Sequence, residues 1–320
     1  MDISNLSFLV TGGAGFIGSH IAEALIQNGA KKVFVLDNLS TGNINNIQHL
    51  KQIHFIQADI NDSQTLNNIL PEIDIIFHLA ALGSVNRSVE NPLATHFANS
   101  TGFLNILDNA QKHKVKGIIY ASSSSVYGDN NHLPKVEEKT GTPLSPYAVT
   151  KITNELYAKV FWKLHQLPII GLRYFNVFGP HQNPNGAYAA AIPSFIQKMI
   201  NNDDIYIHGT GEQKRDFTYI QNVVHANLLA MQAILNHSTD AFGQVMNIGC
   251  HQSVSINEVF KILAQKLSYK KQPIYTAPRK GDIFESLADI SKAKNLIHYQ
   301  PQVFFEEGID KTIAYYIKKS

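Results

Sequence analysis

Residues 8–20 read FLVTGGAGFIGSH, a short apolar run that passes directly into a glycine-rich turn. Gly12, Gly15 and Gly18 fit the pattern G-x-x-G-x-x-G, and Gly13, Gly15 and Gly18 also fit G-x-G-x-x-G. Glycines recur in this way where a strand turns sharply into a helix and the backbone must approach a pyrophosphate at the helix N-terminus. The stretch therefore predicts a strand, a dinucleotide-binding turn and a helix.

The second apolar run ends in Asp37, about twenty residues beyond the turn. An acidic residue at this place hydrogen-bonds the adenosine ribose, and its charge disfavours a 2′-phosphate. We therefore predict NAD rather than NADP as the cofactor. Asp59 follows the third run in the same way and is a candidate adenine contact, although an Asp at a strand end is often only a turn residue.

Apolar runs alternate with amphipathic stretches through the first half of the chain, which is typical of parallel βαβ units. The predicted strands are residues 8–11, 33–37, 54–59, 73–80, 117–123 and 169–175. Helices are predicted between them, one carrying an apolar stripe formed by Ala148, Ile152, Leu156, Val160 and Leu164. The fold class predicted is α/β, a Rossmann-type doubly wound parallel sheet with ligands outside the carboxyl ends of its strands.

The composition changes after Asn176, where residues 179–191 are rich in Pro, Asn and Gly. Shorter predicted elements follow at residues 205–209, 223–235, 245–249 and 256–267. We therefore expect two domains: residues 1–176 would bind the cofactor, and residues 177–320 would form a smaller mixed α/β substrate domain. A strand near residues 245–249 is a candidate to return to the sheet.

Charge and composition exclude several classes of function. The 27 basic and 25 acidic residues are nearly balanced, so we expect neither a nucleic-acid groove nor a basic membrane patch. No apolar run reaches membrane-spanning length, and the N-terminus lacks the charged head of a signal peptide. The single cysteine, Cys250, rules out an internal disulfide framework and suits a reducing cytoplasm, and the fourteen scattered histidines predict no metal site.

A second motif, SPYAVTK, occupies residues 145–151. Ser145 is a predicted helix N-cap, and Pro146 suits the first helical position. Tyr147 and Lys151 are four residues apart, so they share one helical face. Because a fixed ammonium favours the phenolate, we expect a lowered phenol pKa and a tyrosine that acts as a base on an alcohol.

Residues 120–128 read YASSSSVYG and end the fifth predicted strand, at the edge where substrates bind. One of these hydroxyls is a candidate partner of Tyr147 and a sugar hydroxyl; the alternative is that the serines only form a polar loop. The glycine-rich turn, serine-rich strand end and Tyr-x-x-x-Lys, in this order, resemble the extended short-chain dehydrogenase/reductase family, of the NAD-dependent epimerase/dehydratase type.

Within that family the chain is similar to the UDP-sugar 4-epimerases along nearly its whole length. The motifs that carry the resemblance are LVTGGAGFIGSH, HLAALGSVNRS, SPYAVTK, GLRYFNVFGPHQNPNGAYAAAIP and RKGDIFESLAD. The run over residues 171–193 is most like the subgroup that acts on UDP-N-acetylhexosamines in surface-polysaccharide pathways. The resemblance implies a cytoplasmic, NAD-dependent isomerase that interconverts UDP-GlcNAc and UDP-GalNAc through a 4-keto sugar.

The resemblance also implies residue roles. Tyr147 would be the base, Lys151 its partner, and Ser123, with Ser124 beside it, the catalytic hydroxyl. The implied cofactor-binding residues are Gly12, Gly15, Phe16, Ile17, Gly18, Asp37, Asn38, Ser40, Thr41, Gly42, Asp59, Ile60, Leu79, Ala80, Ala81, Asn99, Ser122, Tyr147, Lys151 and Phe175. The implied substrate-binding residues are Gly83, Ser84, Ser123, Ser124, Tyr147, Asn176, Gln182, Ala189, Ala190, Arg215, Arg279, Asp282 and Ser286, the two arginines being suited to the diphosphate.

Three departures from relatives bear on the substrate. Nucleotide-sugar 4,6-dehydratases carry an Asp-Glu pair where this chain has Ser124 and Ser125, so dehydration is disfavoured. Galactose-type epimerases place larger residues where this chain has Gly83 and Ser286, so we expect room for an acetamido group. Phe284 stands where some relatives have a further arginine.

Other substrates and chemistries stay open from the sequence. They are a UDP-N-acetylhexosaminuronate or UDP-glucose/galactose 4-epimerase, a nucleotide-sugar dehydratase or reductase, a nucleotide-sugar decarboxylase, and a non-catalytic cofactor sensor. Arg87 is a candidate partner for a uronic acid carboxylate. The resemblance further implies a homodimer joined through helices around residues 92–112 and 146–165, with Phe103, Leu107 and Phe161 as either interface or core residues.

Overall fold

The computed structural model describes residues 2–185, 189–278 and 283–319. Its strands, in chain order, are β1 Ser7–Thr11, β2 Lys32–Asp37, β3 Ile53–Gln57, β4 Ile75–His78, β5 Gly117–Ser123, β6 Ile169–Tyr174, β7 Val177–Phe178, β8 Tyr206–His208, β9 Lys214–Asp216, β10 Thr218–Tyr219, β11 Gln244–Ile248, β12 Ser253–Ser255, β13 Ile274–Thr276 and β14 Glu285–Ser286. Its α-helices are α1 Phe16–Gln27, α2 Ser63–Ile69, α3 Val85–Glu90, α4 Pro92–His96, α5 Gly102–Lys112, α6 Pro146–His165, α7 Ala191–Ile200, α8 Ile220–Leu235, α9 Ile256–Lys266, α10 Ser291–Ile297 and α11 Phe305–Lys319. Short 3₁₀ turns cover Ile44–Asn46, Leu70–Glu72, Ser124–Tyr127 and Thr239–Ala241, and a π-helical turn covers Phe97–Thr101.

The described ranges contain a seven-stranded parallel sheet of order β11-β6-β5-β4-β1-β2-β3. The strand order reverses between β1 and β4, which leaves a crevice outside their carboxyl ends. The predicted Rossmann-type doubly wound sheet is therefore confirmed. The third predicted strand is shorter than expected, because β3 stops at Gln57 and leaves Asp59 in the following loop.

Alternation along each strand fills two cores, one on each face of the sheet. In β1, Phe8 and Val10 belong to a cluster that includes residues of α1 and α8, whereas Leu9 belongs to a cluster with residues of α5 and α6. Successive strand side chains point to opposite faces, so this buried apolar strand requires helices on both sides. The strand ends are thereby held rigidly at one edge.

Helix α6 begins as predicted, with the Ser145 side chain accepting a hydrogen bond from Ala148 N and Pro146 in the first turn. Of its predicted apolar stripe, Ala148 is buried and Ile152 packs against a small buried cluster, but the later positions do not form the core. Leu156, Val160 and Leu164 are 61%, 46% and 72% exposed. The buried positions of α6 are instead Ala148, Thr150, Lys151, Asn154 and Ala158, because polar groups of this helix face the site.

A buried carboxylate joins the smaller elements that follow β6. Asp216, at the end of β9, is fully buried and accepts hydrogen bonds from the backbone N–H groups of Cys250, His251 and Ala288 at 2.8, 3.0 and 3.1 Å. Burial raises the pKa of Asp216 to about 6. These bonds tie β9 to the loop after β11 and the segment after β14, and so hold the neighbouring Arg215 beside the sheet.

Within the described ranges, no helix is both long and apolar enough to cross a membrane. In the same part of the chain, no group of three or more His, Cys, Asp and Glu side chains is arranged to hold a metal ion.

Candidate functional site

A cleft of about 540 Å³ lies at the carboxyl edge of the sheet, over the crevice between β1 and β4. Most of the site residues that were predicted from the sequence lie together in this cleft. Among its lining are Gly12, Gly15, Phe16, Ile17, Gly18, Asp37, Asn38, Ser40, Thr41, Asp59, Ile60, Leu79, Ala80, Ala81, Gly83, Ser122, Ser123, Ser124, Tyr147, Lys151 and Asn176.

The glycine turn lets two backbone segments approach one another closely. Gly12 has φ +66°, and a Cβ built there would lie 2.7 Å from the backbone N and Cα of Ala80. A Cβ on Gly18 would lie 2.3 Å from the Gly12 carbonyl oxygen. Gly15 precedes α1, whose N-terminal N–H groups open into the cleft. A pyrophosphate suits this turn, because its glycines place no Cβ there and the N-terminus of a helix favours an anion.

The adenosine end of the cleft is lined by carboxylates held in fixed positions. Asp37 accepts hydrogen bonds from Ala14 N at 3.0 Å and Leu39 N at 2.8 Å, and its pKa is raised by burial. A Cβ on Gly42 would lie 2.8 Å from both Asp37 oxygens, so a larger residue would displace this carboxylate. Asp59 is held by Asn38 Nδ2 at 2.8 Å. This end suits a ribose diol better than a phosphate.

The opposite end of the cleft contains Ser123, Tyr147 and Lys151. Ser123 ends β5, and its hydroxyl accepts a hydrogen bond from Ser125 N at 3.2 Å. The Lys151 ammonium donates to the Ala121 carbonyl at 2.8 Å and lies 5.8 Å from the centre of the Tyr147 ring. A hydroxyl, a phenol and an ammonium thus converge where β5 meets α6.

The electrostatics of this triad differ from the sequence-based expectation. Burial raises the pKa of the Tyr147 phenol, and a hydrogen bond with the Ser123 side chain lowers it. Burial also lowers the pKa of Lys151 to about 8, against the attraction of Glu155. The expected lowering of the phenol pKa by Lys151 is therefore wrong for the protein groups alone, because desolvation opposes the charged form of both side chains.

His78, at the end of β4, is a buried neutral base beneath the cleft. Its Nδ1 lies 2.8 Å from the Thr11 hydroxyl, which also accepts a hydrogen bond from Ala80 N at 3.4 Å. Burial and, secondarily, the Lys151 charge lower the pKa of His78 to about 3. The imidazole therefore stays neutral and supports the Leu79–Ala81 wall of the cleft.

We expect His78 to make the protein less stable in mild acid. His78 is protonated below about pH 6.5 in the unfolded chain, but only below about pH 3 in the folded protein. Between these two values, each unit by which the pH falls should therefore lower the free energy of unfolding by about 1.4 kcal/mol. Urea unfolding at about pH 7 and about pH 5 measures the slope. His78→Asn should flatten it, whereas replacing the exposed His96 in the same way should not; equal slopes in all three proteins would contradict the assignment.

A second cleft, of about 360 Å³, joins the first, and Asn176 and Val177 line both. It contains the predicted Ala189, Ala190 and Arg215. The Arg215 guanidinium donates to the Lys214 carbonyl at 2.8 Å, which fixes the group at the wall. The sequence missed several lining residues here: Phe195, Lys198, Tyr206, His208, Gln213 and Phe217. They come from separate short elements, and no motif joins them.

Other predicted site residues lie outside both clefts. Asn99 is buried behind the first, where its side chain accepts from Leu82 N at 2.8 Å and donates to the Thr150 hydroxyl at 3.1 Å. Phe175 packs into a core cluster, and Tyr174 takes its place at the wall. The lining of the clefts likewise omits Gly42, Ser84, Arg87, Gln182 and Ser286. Arg279 and Asp282 lie outside the described residues.

The first-cleft residues that the sequence missed are Leu36, Ala58, Leu82, Ala98, Ala121, Tyr174 and Val177. Leu36, Ala58 and Tyr174 lie at or next to the ends of parallel strands. The strand-end rule alone, applied to every strand, would have found these three.

Comparisons with known proteins agree with this geometry. A curated relative from Methanocaldococcus jannaschii, named putative UDP-glucose 4-epimerase, is 40% identical over 95% of this chain and 96% of its own. The UDP-glucuronate 4-epimerase of Thermodesulfobacterium geofontis is 34% identical over 96% of this chain and 94% of its own.

One solved structure is that of the UDP-N-acetylglucosamine 4-epimerase from Methanobrevibacter ruminantium, in complex with UDP-N-acetylmuramic acid. It has a TM-score of 0.92 at 39% identity and covers 98% of this chain and 99% of that chain. The model of the NAD dependent epimerase/dehydratase family matches residues 8–249. The predictions of this family and of NAD as its cofactor are thereby confirmed. The chain belongs to the NAD dependent epimerase/dehydratase family.

Proposed function

We propose that this protein is a UDP-sugar 4-epimerase, an isomerase that inverts C4 of the sugar through a transient 4-keto form. The observation that carries the proposal is the convergence of Ser123, Tyr147 and Lys151 in the dinucleotide cleft, which shares Asn176 and Val177 with the second cleft. From this position Tyr147 can reach a hydroxyl of the sugar while the UDP part of the substrate is held in the second cleft. The relatives named as UDP-sugar 4-epimerases support the same activity.

Each residue of the triad has a separate task. Tyr147, as phenolate, accepts the proton of the 4-hydroxyl and later returns it, while Lys151 stabilises that phenolate through its positive charge. Ser123 hydrogen-bonds the sugar hydroxyl and holds it against Tyr147. The NAD that would lie along Gly12, Gly15 and the α1 N-terminus supplies reversible oxidation of C4.

The second cleft would anchor UDP. Arg215 offers a planar fork of donors to the diphosphate, and Phe217 and Tyr206 offer apolar surface to the nucleoside. Asn176, which lines both clefts, would lie beside the sugar. With the diphosphate fixed, the 4-keto sugar can turn about its linkage and present its other face. We assign residues 1–176 to cofactor binding and residues 177–320 to this anchoring, with Arg279 and Asp282 as further proposed contacts.

We propose UDP-GlcNAc and UDP-GalNAc as the preferred substrate pair. A Cβ built on Gly83, which lines the first cleft, would have no heavy atom within 4 Å, so this wall leaves space beside the sugar. Ser286, the second small residue, lies outside the described clefts and supports the preference less. UDP-glucose and UDP-glucuronate remain alternatives, because relatives bear both substrates in their names.

The experiment that tests the activity incubates the purified protein with UDP-GlcNAc or UDP-glucose, without added reductant, and follows the sugar by NMR. Faster conversion of UDP-GlcNAc to UDP-GalNAc than of UDP-glucose to UDP-galactose supports both activity and preference. Conversion of UDP-glucuronate alone would move the assignment to a uronic acid substrate. Steady release of reduced cofactor would instead indicate a net redox enzyme.

Filling the space at Gly83 should alter substrate preference. We expect Gly83→Leu to lower kcat/KM for UDP-GlcNAc relative to UDP-glucose by roughly tenfold or more, because a few added methylene groups are worth about 1–3 kcal/mol against a bulkier substituent. Gly83→Ala, which meets no neighbour, is the matched control and should keep the wild-type ratio. An unchanged ratio in the leucine variant would remove Gly83 from the acetamido pocket.

We also propose a homodimer, because one face of the protein is apolar and exposed. This face is formed by Val89, Leu93, Phe97, Val149, Leu156, Val160 and Leu164 on α3, α4, the π-helical turn and α6. Of the residues that the sequence left open between interface and core, Phe103 and Leu107 are fully buried core, and Phe161 packs against that core. A contiguous apolar face of several helices is typical of a contact between protein copies.

Replacing Leu93 and Leu164 with glutamate should yield a monomer, because two charges would be buried per subunit in the paired face. Light scattering after size-exclusion chromatography measures the mass. Ile317→Glu, an equally charged change at another exposed apolar residue, should leave the dimer intact. A wild-type protein that is monomeric at micromolar concentration would contradict the proposal.

A further inference from the structure

Behind the triad lies a buried ion pair that the reaction as described does not use. Glu155 on α6 and Arg173 on β6 form a two-pronged contact, with Nε donating to one carboxylate oxygen at 2.9 Å and Nη2 to the other at 2.7 Å. Their side chains are only 13% and 4% exposed. A buried ion pair rarely adds much stability by itself, because desolvation opposes it. Stability alone therefore does not explain why this ion pair lies behind the triad.

The Glu155 carboxylate also reaches the catalytic strand. The Ser122 hydroxyl donates to Oε1 at 2.5 Å. In the chain, Ser122 stands between Ala121, whose carbonyl accepts from the Lys151 ammonium, and Ser123 of the triad. One carboxylate thus joins α6, β5 and β6 one helical turn beyond Lys151.

The charge of the ion pair also acts on Lys151, which is part of the acid–base pair of the proposed reaction. Lys151 faces the Ala121 carbonyl from β5, His78 from β4, and Tyr147 and Glu155 on its own helix. His78 carries no charge near neutral pH, so Glu155 is the anion that acts on Lys151. Burial lowers the pKa of Lys151 to about 8, and the attraction of Glu155 opposes that lowering.

Arg173 has its own surroundings. Its Nη1 donates to the Glu137 carbonyl at 3.1 Å, and its guanidinium carbon lies 4.9 Å from the centre of the Tyr127 ring. Tyr120 faces the pair from β5 and remains a phenol, because burial raises its pKa. The charge of Glu138 also acts at this end, from an exposed side chain. Of the carboxylates around the pair, therefore, it is Glu155 whose charge acts on Lys151, and Arg173 is its ion-pair partner.

We propose that Glu155 is a positioning residue for the epimerase reaction: through Ser122 it holds the catalytic end of β5 against α6, and its charge keeps the buried Lys151 ammonium protonated. Arg173 holds the Glu155 carboxylate in place, and its positive charge weakens the effect of that carboxylate on Lys151. The inference rests on the proposed function, since it concerns the acid–base pair that would move the sugar proton. It assigns to the ion pair a role in the pH range of activity.

The test uses two variants that break the same ion pair and leave opposite charges. Glu155→Gln removes the anion, so the alkaline limb of the kcat profile should move to lower pH by about one unit. Arg173→Gln leaves the anion unneutralised, so the same limb should move to higher pH. The double variant should return the limb close to its wild-type position. A purely structural ion pair would not shift the two single variants in opposite directions, and shifts of the same sign, or none, would overturn the proposal.

A second measurement does not depend on turnover. In the NAD-loaded protein without sugar, the titration of the Lys151 ammonium is followed by NMR of its isotope-labelled ε-carbon, as the signal that the Lys151→Met protein lacks. Its midpoint should move downward in Glu155→Gln and upward in Arg173→Gln, because a lost anion disfavours the ammonium and a lost cation favours it. If no UDP-sugar is converted, the proposed function fails, yet this titration still decides the role of Glu155.

Controls separate this effect from a general loss of structure. Glu72→Gln removes the same charge from an exposed ion pair with Lys32 and should leave the profile unchanged. Should both single variants fail to fold, Glu155→Asp decides, because it keeps the charge but draws the carboxylate back from Ser122. A kcat reduced roughly tenfold, with the alkaline limb moved by less than about half a unit, is expected; wild-type kcat would overturn the positioning role.

Discussion

Tyr147→Phe should reduce turnover of the UDP-sugar by roughly 10³-fold and leave NAD affinity nearly unchanged. The substitution removes one oxygen from a buried ring, so the cleft keeps its shape while the proton acceptor is lost. NMR of the sugar gives turnover, and titration of the stripped protein with NAD gives affinity. Loss of both together would indicate misfolding rather than lost chemistry.

Tyr157→Phe is the matched control for this prediction. Tyr157 lies on the same helix, α6, but its ring is 36% exposed and outside both clefts. Its hydroxyl should be dispensable for turnover. If Tyr147→Phe kept activity close to that of Tyr157→Phe, the base would have to be another residue, and the proposed mechanism would fail.

Gly12→Ala should weaken NAD binding by roughly 100-fold or prevent it. The added Cβ would lie 2.7 Å from the backbone of Ala80, so the two segments that flank the pyrophosphate must move apart. Overpacking of this kind costs about 1–3 kcal/mol, and a lost hydrogen bond to a charged phosphate costs a similar amount. Calorimetric titration with NAD measures the loss.

Gly29→Ala separates the collision from the cost of the backbone conformation. Gly29 has φ +80°, close to the +66° of Gly12, but a Cβ there would meet no atom within 4 Å. Both variants therefore carry the same backbone strain, of order 1 kcal/mol, and only Gly12→Ala carries the collision. Equal NAD affinities in the two variants would show that the close approach of Gly12 to Ala80 is not needed.

The apolar stripe of α6 shows the limit of periodicity as a guide. Leu156, Val160 and Leu164 have the spacing of a core face, and the helix they predicted does form. Yet these side chains are exposed, and Lys151 and Asn154 are buried in their place. An apolar period indicates that one face of a helix is apolar, but it does not distinguish a face packed in the core from a face that contacts a second copy of the protein. Knowing which groups the opposite face must serve required the packing of α6 on β5.

Some site residues could likewise be predicted from local sequence patterns, and others could not. Gly12, Asp37, Tyr147 and Lys151 could be identified because each belongs to a local pattern whose geometry follows from a strand end or a helix turn. Asn99 was placed in the cleft by resemblance, but the structure turns its side chain to Leu82 and Thr150. Asn99 lies on the π-helical turn, and the direction of its side chain depends on partners that are distant in the sequence.

The sequence by itself determined the doubly wound sheet, the cofactor turn and the pairing of Tyr147 with Lys151, because these depend on backbone rules and on neighbours within a few residues. Only the tertiary structure decided the second cleft around Arg215 and the ion pair of Glu155 with Arg173. It also decided the pKa directions at Tyr147 and Lys151. The physical reason is that desolvation and long-range charge depend on burial, and burial is decided by how distant segments pack.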